Sequence, residues 1–312
     1  MRRKATAVLL SLHAVGCDPV GLGLSNPDFR VIGHRGAPNL ACENTMASFA
    51  AAAAVGANAI ETDICVTAEG VQVVWHDADP DSTIAVARQA GAEGLLCRPY
   101  VPDVGSSWRR PVDELLLAEL QEQYGYAWNG SRDPTAAIPL LSDFTAWLRE
   151  TASVRTVYLD LKLLPTQLDS AFSILHALGD DGLADPSLAH VRFYLLTVHE
   201  DMARALEAER LLRGYDSPRV VLDYEQAGAL GGTLDAALRD VSMGLTPSQD
   251  WHSYKREVAE TVDAREAGAI DSVTVWTFDR EMQLAELLYY SVDGVMTNEP
   301  ALLYRMWQDS LE

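Results

Sequence analysis

The chain is poor in positive charge: 24 Lys and Arg stand against 45 Asp and Glu, a formal net charge of −21. Nucleic acids and anionic membrane surfaces attract clusters of Lys and Arg, and no basic stripe is present, so no nucleic-acid partner is expected. Cysteine is also scarce. The four, Cys17, Cys42, Cys65 and Cys97, form no CxxC pair, which removes the usual structural zinc frame. Beyond the N-terminus no apolar run nears the ~18 residues that cross a bilayer. There is no internal repeat and no low-complexity block. What remains is globular composition, 48% hydrophobic and 22% charged over 312 residues.

The first seventeen residues read as an export signal. Arg2, Arg3 and Lys4 precede a short apolar stretch, Ala5 to Leu12, and small residues then lead to Cys17. The pattern is that of a bacterial lipoprotein signal. The chain is therefore expected to be exported, and either secreted or anchored through lipid on Cys17 to the outer face of a bacterial membrane. With Cys17 lipidated, three cysteines remain, enough for one disulfide and one thiol in an oxidising compartment. The sequence leaves their pairing open, and Cys42 and Cys65 both fall near the expected site.

Apolar, β-branched runs alternate with helical patterns, which predicts βαβ units and a parallel sheet. Strand candidates lie at Arg30–His34, Asn58–Asp63, Val71–His76, Thr156–Lys162, Val191–Thr197, Arg219–Leu222, Arg239–Met243, Val273–Phe278 and Gly294–Thr297. The gap between Asp63 and Val71 holds only a turn, and parallel strands need a crossover of a dozen residues or more. Val71–His76 is therefore a hairpin return, and the other eight strands predict an α/β TIM (β/α)8 barrel over 27–312. Residues 78–139, with one helical pattern at Val112–Tyr124, read as an insertion over the barrel mouth, where active-site loops accumulate.

The chemistry-bearing residues sit at strand ends. Side chains two apart on a strand share a face, so Glu61 and Asp63 point the same way, as do Asp160 and Lys162. Charged inward pairs cannot occupy packed barrel layers, so these belong at the top. There Glu61, Asp63 and Asp160 would repel one another unless a divalent cation joined them, and carboxylate oxygens suit Ca²⁺ or Mg²⁺. His34 and His76 are acid–base candidates, since imidazole titrates near neutrality. Arg35 offers a planar fork and Lys162 a point charge for phosphate oxygens. Singly each signal is weak: a lone His is usually structural, and a lone ExD is often a solvated strand end. Their joint order on successive strand ends points to phosphoryl transfer. Gly33 and Gly36 fit a tight turn.

These motifs resemble those of the glycerophosphodiester phosphodiesterase family. The resemblance rests on His34-Arg35-Gly36, Glu43-Asn44-Thr45, Ile60-Glu61-Thr62-Asp63, Val73-Val74-Trp75-His76-Asp77, Val275-Trp276-Thr277-Phe278 and Val292 through Asn298. It implies a TIM barrel with one divalent cation on Glu61, Asp63 and Asp160. It also implies hydrolysis of glycerophosphodiesters to glycerol 3-phosphate and an alcohol. His34 would assist attack by the neighbouring glycerol hydroxyl, and His76 would protonate the leaving alcohol. Arg35 and Lys162 would hold phosphate, and Trp276 would pack on the substrate. The sequence departs at Cys42, where Pro is usual, at Asp160, where Glu is usual, and after Asp77, where the basic and Thr-rich run is missing. Asp-x-Lys together with Met296-Thr297-Asn298 is similar to the sphingomyelinase D and phospholipase D toxins. The alternative expectation is therefore cleavage of a lysolipid to a cyclic phosphate. A binding protein on the same barrel would have little use for both histidines and all the carboxylates.

Overall fold

The computed structural model of the chain describes residue 26 and residues 28–184, 186–224, 238–245 and 249–311. The expected signal and Cys17 lie outside the described residues. In chain order the elements are β1 (Arg30–His34), α1 (Met46–Ala54), β2 (Ala59–Val66) and β3 (Gln72–Val74). An excursion follows with α2 (Thr83–Gln89), β4 (Arg98–Tyr100), a 3-10 turn at Val112–Glu114, α3 (Leu117–Gln123), β5 (Gly125–Trp128) and β6 (Ser131–Arg132). Alternation then resumes with α4 (Leu141–Glu150), β7 (Thr156–Leu161), α5 (Leu168–Ala184), β8 (Arg192–Thr197), α6 (Glu200–Arg213) and β9 (Arg219–Tyr224). It closes with β10 (Asp240–Gly244), α7 (Trp251–Glu266), β11 (Ser272–Trp276), α8 (Glu281–Tyr289), β12 (Gly294–Thr297) and α9 (Pro300–Leu311).

Eight strands form a closed parallel barrel in the order β1, β12, β11, β10, β9, β8, β7, β2, with β2 pairing back to β1. This is the TIM barrel that the alternating pattern predicts. The eighth candidate pair of strand ends closes because β1 has partners on both sides. β3 runs antiparallel to β2 with Ile64 opposite Val74, so the short segment is the hairpin return that its short turn requires. Parallel strands covered on both faces bury nearly every side chain, and β2 is buried along its whole length. Inside the barrel, Ile32, Ala59, Tyr158, Tyr194, Leu196, Val221 and Met296 pack together, with the Tyr158 and Tyr194 rings stacked at 4.8 Å. Outside, the helices lay Phe49, Phe144, Leu206 and Val258 against the strands. Among the described residues no helix is long and apolar enough to cross a membrane.

The excursion has its own small core. Trp75 packs 5.1 Å from the Tyr126 ring and joins Val112, Leu115, Leu120 and Ile138. That core explains why Val112–Tyr124 is not one helix. Leu115 is fully buried in it with an extended backbone, and its carbonyl accepts the Ala68 amide at 2.9 Å, so the helix restarts only at Leu117. Helix α2 and the antiparallel β4–β5–β6 sheet were not predicted from the sequence. Cys42 is bonded to Cys97, which ties the β1–α1 loop to the excursion. Cys65 is a free, buried thiol that donates to the Trp75 carbonyl at 3.0 Å.

Candidate active site

The pairing of β1, β2 and β7 decides which charges meet. His34 is the register partner of Glu61, and Asp63 that of Asp160. One carboxylate oxygen from each of Glu61, Asp63 and Asp160 lies within 4.8 Å of the other two. Such crowding favours protonation: burial and the charges of Asp63 and Asp160 push the Glu61 carboxyl well up. Burial also raises Asp160, against the pull of Lys162. Asp63 goes the other way. Burial alone would raise it, but Lys162, Arg35 and the Asn44 amide hold it down at about 2. Lys162 Nζ lies 3.2 Å from Asp63 Oδ1 and 2.5 Å from Asp160 Oδ2. Asn44 donates to Asp63 Oδ2 at 2.7 Å and accepts the Thr62 hydroxyl at 2.8 Å, which fixes the Asp63 carboxylate. Asn44 adopts a left-handed backbone, φ 54°, that Asn tolerates better than most residues.

The β1 turn brings Arg35 into the same cluster. A Cβ on Gly33 would lie 2.4 Å from the Gly36 carbonyl, and one on Gly36 would lie 2.4 Å from Ser48 Oγ, so both glycines are sterically required. The turn points the Arg35 amide at Glu61 Oε2, 2.9 Å away. The Arg35 guanidinium is buried, with Nη1 on Glu43 at 2.9 Å and on Glu93 at 3.2 Å. Its Nε lies 3.2 Å from Asp63 Oδ2 but without hydrogen-bond alignment.

The two histidines have different partners. His34 Nδ1 faces Asn298 Oδ1 at 2.8 Å. Asn298 Nδ2 donates to Asp279 Oδ2 at 2.8 Å, and Asp279 Oδ1 accepts the Asn298 amide and the Thr297 hydroxyl. A carboxylate that only accepts turns the Asn298 amide nitrogen towards itself. The Asn298 oxygen therefore faces the ring, Nδ1 carries the proton, and Nε2 keeps its lone pair. That Nε2 is 3.9 Å from Glu61 Oε2. Burial, followed by the Arg35 charge, lowers His34 to about 4. His76 Nδ1 instead faces a carboxylate, Asp77 Oδ1, at 2.6 Å. Burial and the charges of Arg35, Lys162 and Arg88 hold His76 well below the usual histidine range.

His34, Arg35, Glu61, Asp63, His76, Asp160, Lys162 and Trp276 all line one cavity of about 220 Å³ at the C-terminal ends of the strands. A larger cavity, about 590 Å³, opens at the other end of the barrel among the first residues of the strands. It is occupied by ion pairs such as Arg219 with Asp240, and barrel chemistry belongs at the C-terminal end. Trp276 packs across Gly244 and donates its indole N–H to Asp223 Oδ1 at 2.7 Å. Burial and the Asp160 charge raise Asp223 to about 7. Sequence reasoning missed Asp223, Asp279, Arg88 and Glu93 as site residues. It included Asn44 and Asn298 only as parts of motifs. Asp223 lies one residue past the predicted strand at Arg219–Leu222. Nothing in the sequence marks Arg88 or Glu93.

The Glycerophosphoryl diester phosphodiesterase family model matches residues 34–173. The human Glycerophosphoinositol inositolphosphodiesterase GDPD2 is 46% identical over 57 residues, 18% of this chain and only 11% of that protein's length. YhdW of Bacillus subtilis (strain 168), provisionally named a glycerophosphodiester phosphodiesterase, is 24% identical over 280 residues, 88% of this chain and 96% of its own length. The barrel is shared with an Oleispira antarctica phosphodiesterase solved in complex with the product sn-glycerol-3-phosphate. That structure aligns with a TM-score of 0.61 at 17% identity, over 88% of this chain and 95% of that one. The matched stretch starts at His34 and runs past Lys162, so the part of the chain that resembles the glycerophosphoryl diester phosphodiesterase family contains the charged cluster.

Proposed function

We propose that the chain is a divalent-cation-dependent phosphodiesterase that hydrolyses glycerophosphodiesters to glycerol 3-phosphate and an alcohol. One observation carries the reading: a three-carboxylate cluster shares a 220 Å³ cavity with two histidines whose partners differ. The carboxylates fit a hard cation, because their crowding leaves Glu61 destabilised as an anion. Glu61, Asp63 and Asp160 would hold Ca²⁺ or Mg²⁺, whose charge would offset that of the phosphodiester.

The side chains then divide the work. Lys162 lies between Asp63 and Asp160, where its ammonium reaches a phosphate oxygen on the same cation cluster. His34, neutral and with Nε2 free, removes the proton from the glycerol hydroxyl next to the phosphate. That oxygen bonds to phosphorus as the bond to the leaving alcohol breaks. His76 gives the departing oxygen a proton. The diester's negative charge favours the protonated His76 by offsetting the cations that depress it. In the second half water opens the cyclic ester, and the two histidines exchange roles. Arg35 has its Nη1 held by Glu43 and Glu93 and its backbone amide on Glu61, and beside Asp63 its guanidinium would help to hold a phosphate oxygen. Trp276 forms a wall against which the glycerol or leaving group packs. The product complex of the Oleispira protein supports the same product here. We also propose export. A disulfide persists in an oxidising compartment, so Cys42–Cys97 supports export. The reading of the signal-like N-terminus as ending at a lipid-bearing Cys17 is proposed from the sequence alone.

The test is product analysis on glycerophosphocholine and lysophosphatidylcholine, with metal removed and then restored as Ca²⁺ or Mg²⁺. Metal-dependent release of glycerol 3-phosphate, lowered on the order of 10²- to 10⁴-fold by His34→Ala in a folded protein, is expected. Turnover of the lysolipid alone, with a cyclic phosphate appearing, would move the chain to lysolipid chemistry.

A further inference from the structure

The excursion contributes a charged group that no catalytic step above uses. Arg88, on α2, is buried, and each arm of its guanidinium meets a different carboxylate. Nε donates to Asp77 Oδ1 at 2.9 Å. Nη2 meets Glu43, the partner of Arg35, and Nη1 meets Glu93, which Arg35 also contacts. Asp77 Oδ1 is the oxygen that faces His76 Nδ1, while Oδ2 is buried with no partner among the described residues. One oxygen thus ties His76 to Arg88. Buried ion pairs contribute little net stability, so a three-carboxylate anchor is poorly explained as a fold support alone.

We propose that Arg88 is a positioning residue that holds Asp77 beneath His76, so that His76 presents Nε2 to the leaving oxygen, and that holds Glu43 beneath Arg35. This rests on the phosphodiesterase reading, in which His76 is the proton donor. Second contacts of this kind set the tautomer and orientation of a histidine. Without Arg88, burial and Glu43 act on Asp77 with only the more weakly acting Arg35 to oppose them, its Oδ1 loses the hydrogen bond that holds it, and the ring loses its fixed partner. The sequence places no basic residue directly after Asp77, and a helix from the excursion supplies one instead.

The test uses leaving groups that differ in their need for a proton. Alkyl alcohols depart only when protonated, whereas p-nitrophenolate departs as the anion. Holoenzyme, Arg88→Met and Arg88→Lys are assayed on glycerophosphocholine and on the p-nitrophenyl ester of glycerol phosphate. Arg88→Met should lower kcat on the choline ester on the order of 10- to 100-fold with little change in KM, and should leave the p-nitrophenyl ester within a few-fold. Arg88→Lys keeps the charge but not the fork and should fall between. An equal loss on both esters would make Arg88 structural, and no loss on either would also overturn the proposal. If Arg88→Met does not fold, Asp77→Asn must reproduce the same leaving-group selectivity or the proposal fails. Should the wild type turn over neither ester, the phosphodiesterase reading falls. The positional claim is then decided by ¹⁵N NMR of the His76 ring. The Nδ1-protonated tautomer should be held in the wild type and lost in Arg88→Lys, and an unchanged tautomer would refute it.

Discussion

Breaking Cys42–Cys97 should cost much of the protein's stability. The bond closes a loop with a sequence separation of 55, and chain-entropy arguments for a loop of that size give about 4 kcal/mol from restricting the unfolded ensemble. A domain typically has only ~5–15 kcal/mol of stability in total. Both cysteines are buried in the excursion's small core, so Cys42→Ala with Cys97→Ala removes the link without burying a new polar group. Urea unfolding of this double variant should give a ΔG lower than the oxidised wild type by roughly 2–4 kcal/mol, with a larger m-value because the freed chain exposes more surface. The loss should also appear in kcat, since Glu43 follows Cys42, Glu93 lies four residues before Cys97, and both hold Arg35 and Arg88. A loss under about 1 kcal/mol with unchanged m would refute the reasoning, because the unfolded chain would then already be closed without the bond.

Two further outcomes follow from the charge cluster. Asp77 has a folded pKa of about 6, above an unfolded carboxyl near ~3.9, so the folded state binds its proton more tightly. The stabilisation from that proton is complete below about pH 4 and is lost as pH rises through 6, worth up to about 3 kcal/mol. Measured by denaturant unfolding, the stability of Asp77→Asn relative to wild type should therefore rise between about pH 4 and 6, and a flat difference would refute the assignment. Glu61→Gln should raise the melting temperature of metal-free protein, because burial and the neighbouring Asp63 and Asp160 disfavour the anion it removes. The same variant should abolish the upward shift in melting temperature that Ca²⁺ or Mg²⁺ gives the wild type.

The legible parts of the molecule were those with a local period. Alternation places Glu61 with Asp63, and Asp160 with Lys162, on one face, and a gap too short for a crossover forces β3 to return. Strand ends missed in both directions: β2 runs three residues further, to Val66, pulled on by its pairing with β3, whereas β11 stops at Trp276, two residues before the expected Phe278. Helix α2 gave no signal because it spans seven residues and leaves Ile84 61% and Val86 49% exposed, so its apolar pattern does not mark a buried face. Arg88 and Glu93 reach the site only through that helix and the loop after it. The Cys42–Cys97 pairing had no sequence signature, since it depends on where the excursion folds back. Asn298, held in turn by Asp279, meets His34 across the closure of the barrel, 264 residues away in sequence.

That closure bears on how two like residues are made unlike. A neutral amide oxygen on Nδ1 fixes a tautomer without stabilising an imidazolium, so Asn298 suits His34 to accept a proton. A carboxylate on Nδ1 fixes the same tautomer and also favours the imidazolium, so Asp77 suits His76 to give one. The environment opposes this second effect, because burial and the charges of Arg35, Lys162 and Arg88 all lower His76. An anionic diester would offset those same cations on arrival. In the proposed mechanism His76 would take up its proton when substrate binds, and His34, at about 4, would act as the base at neutral pH.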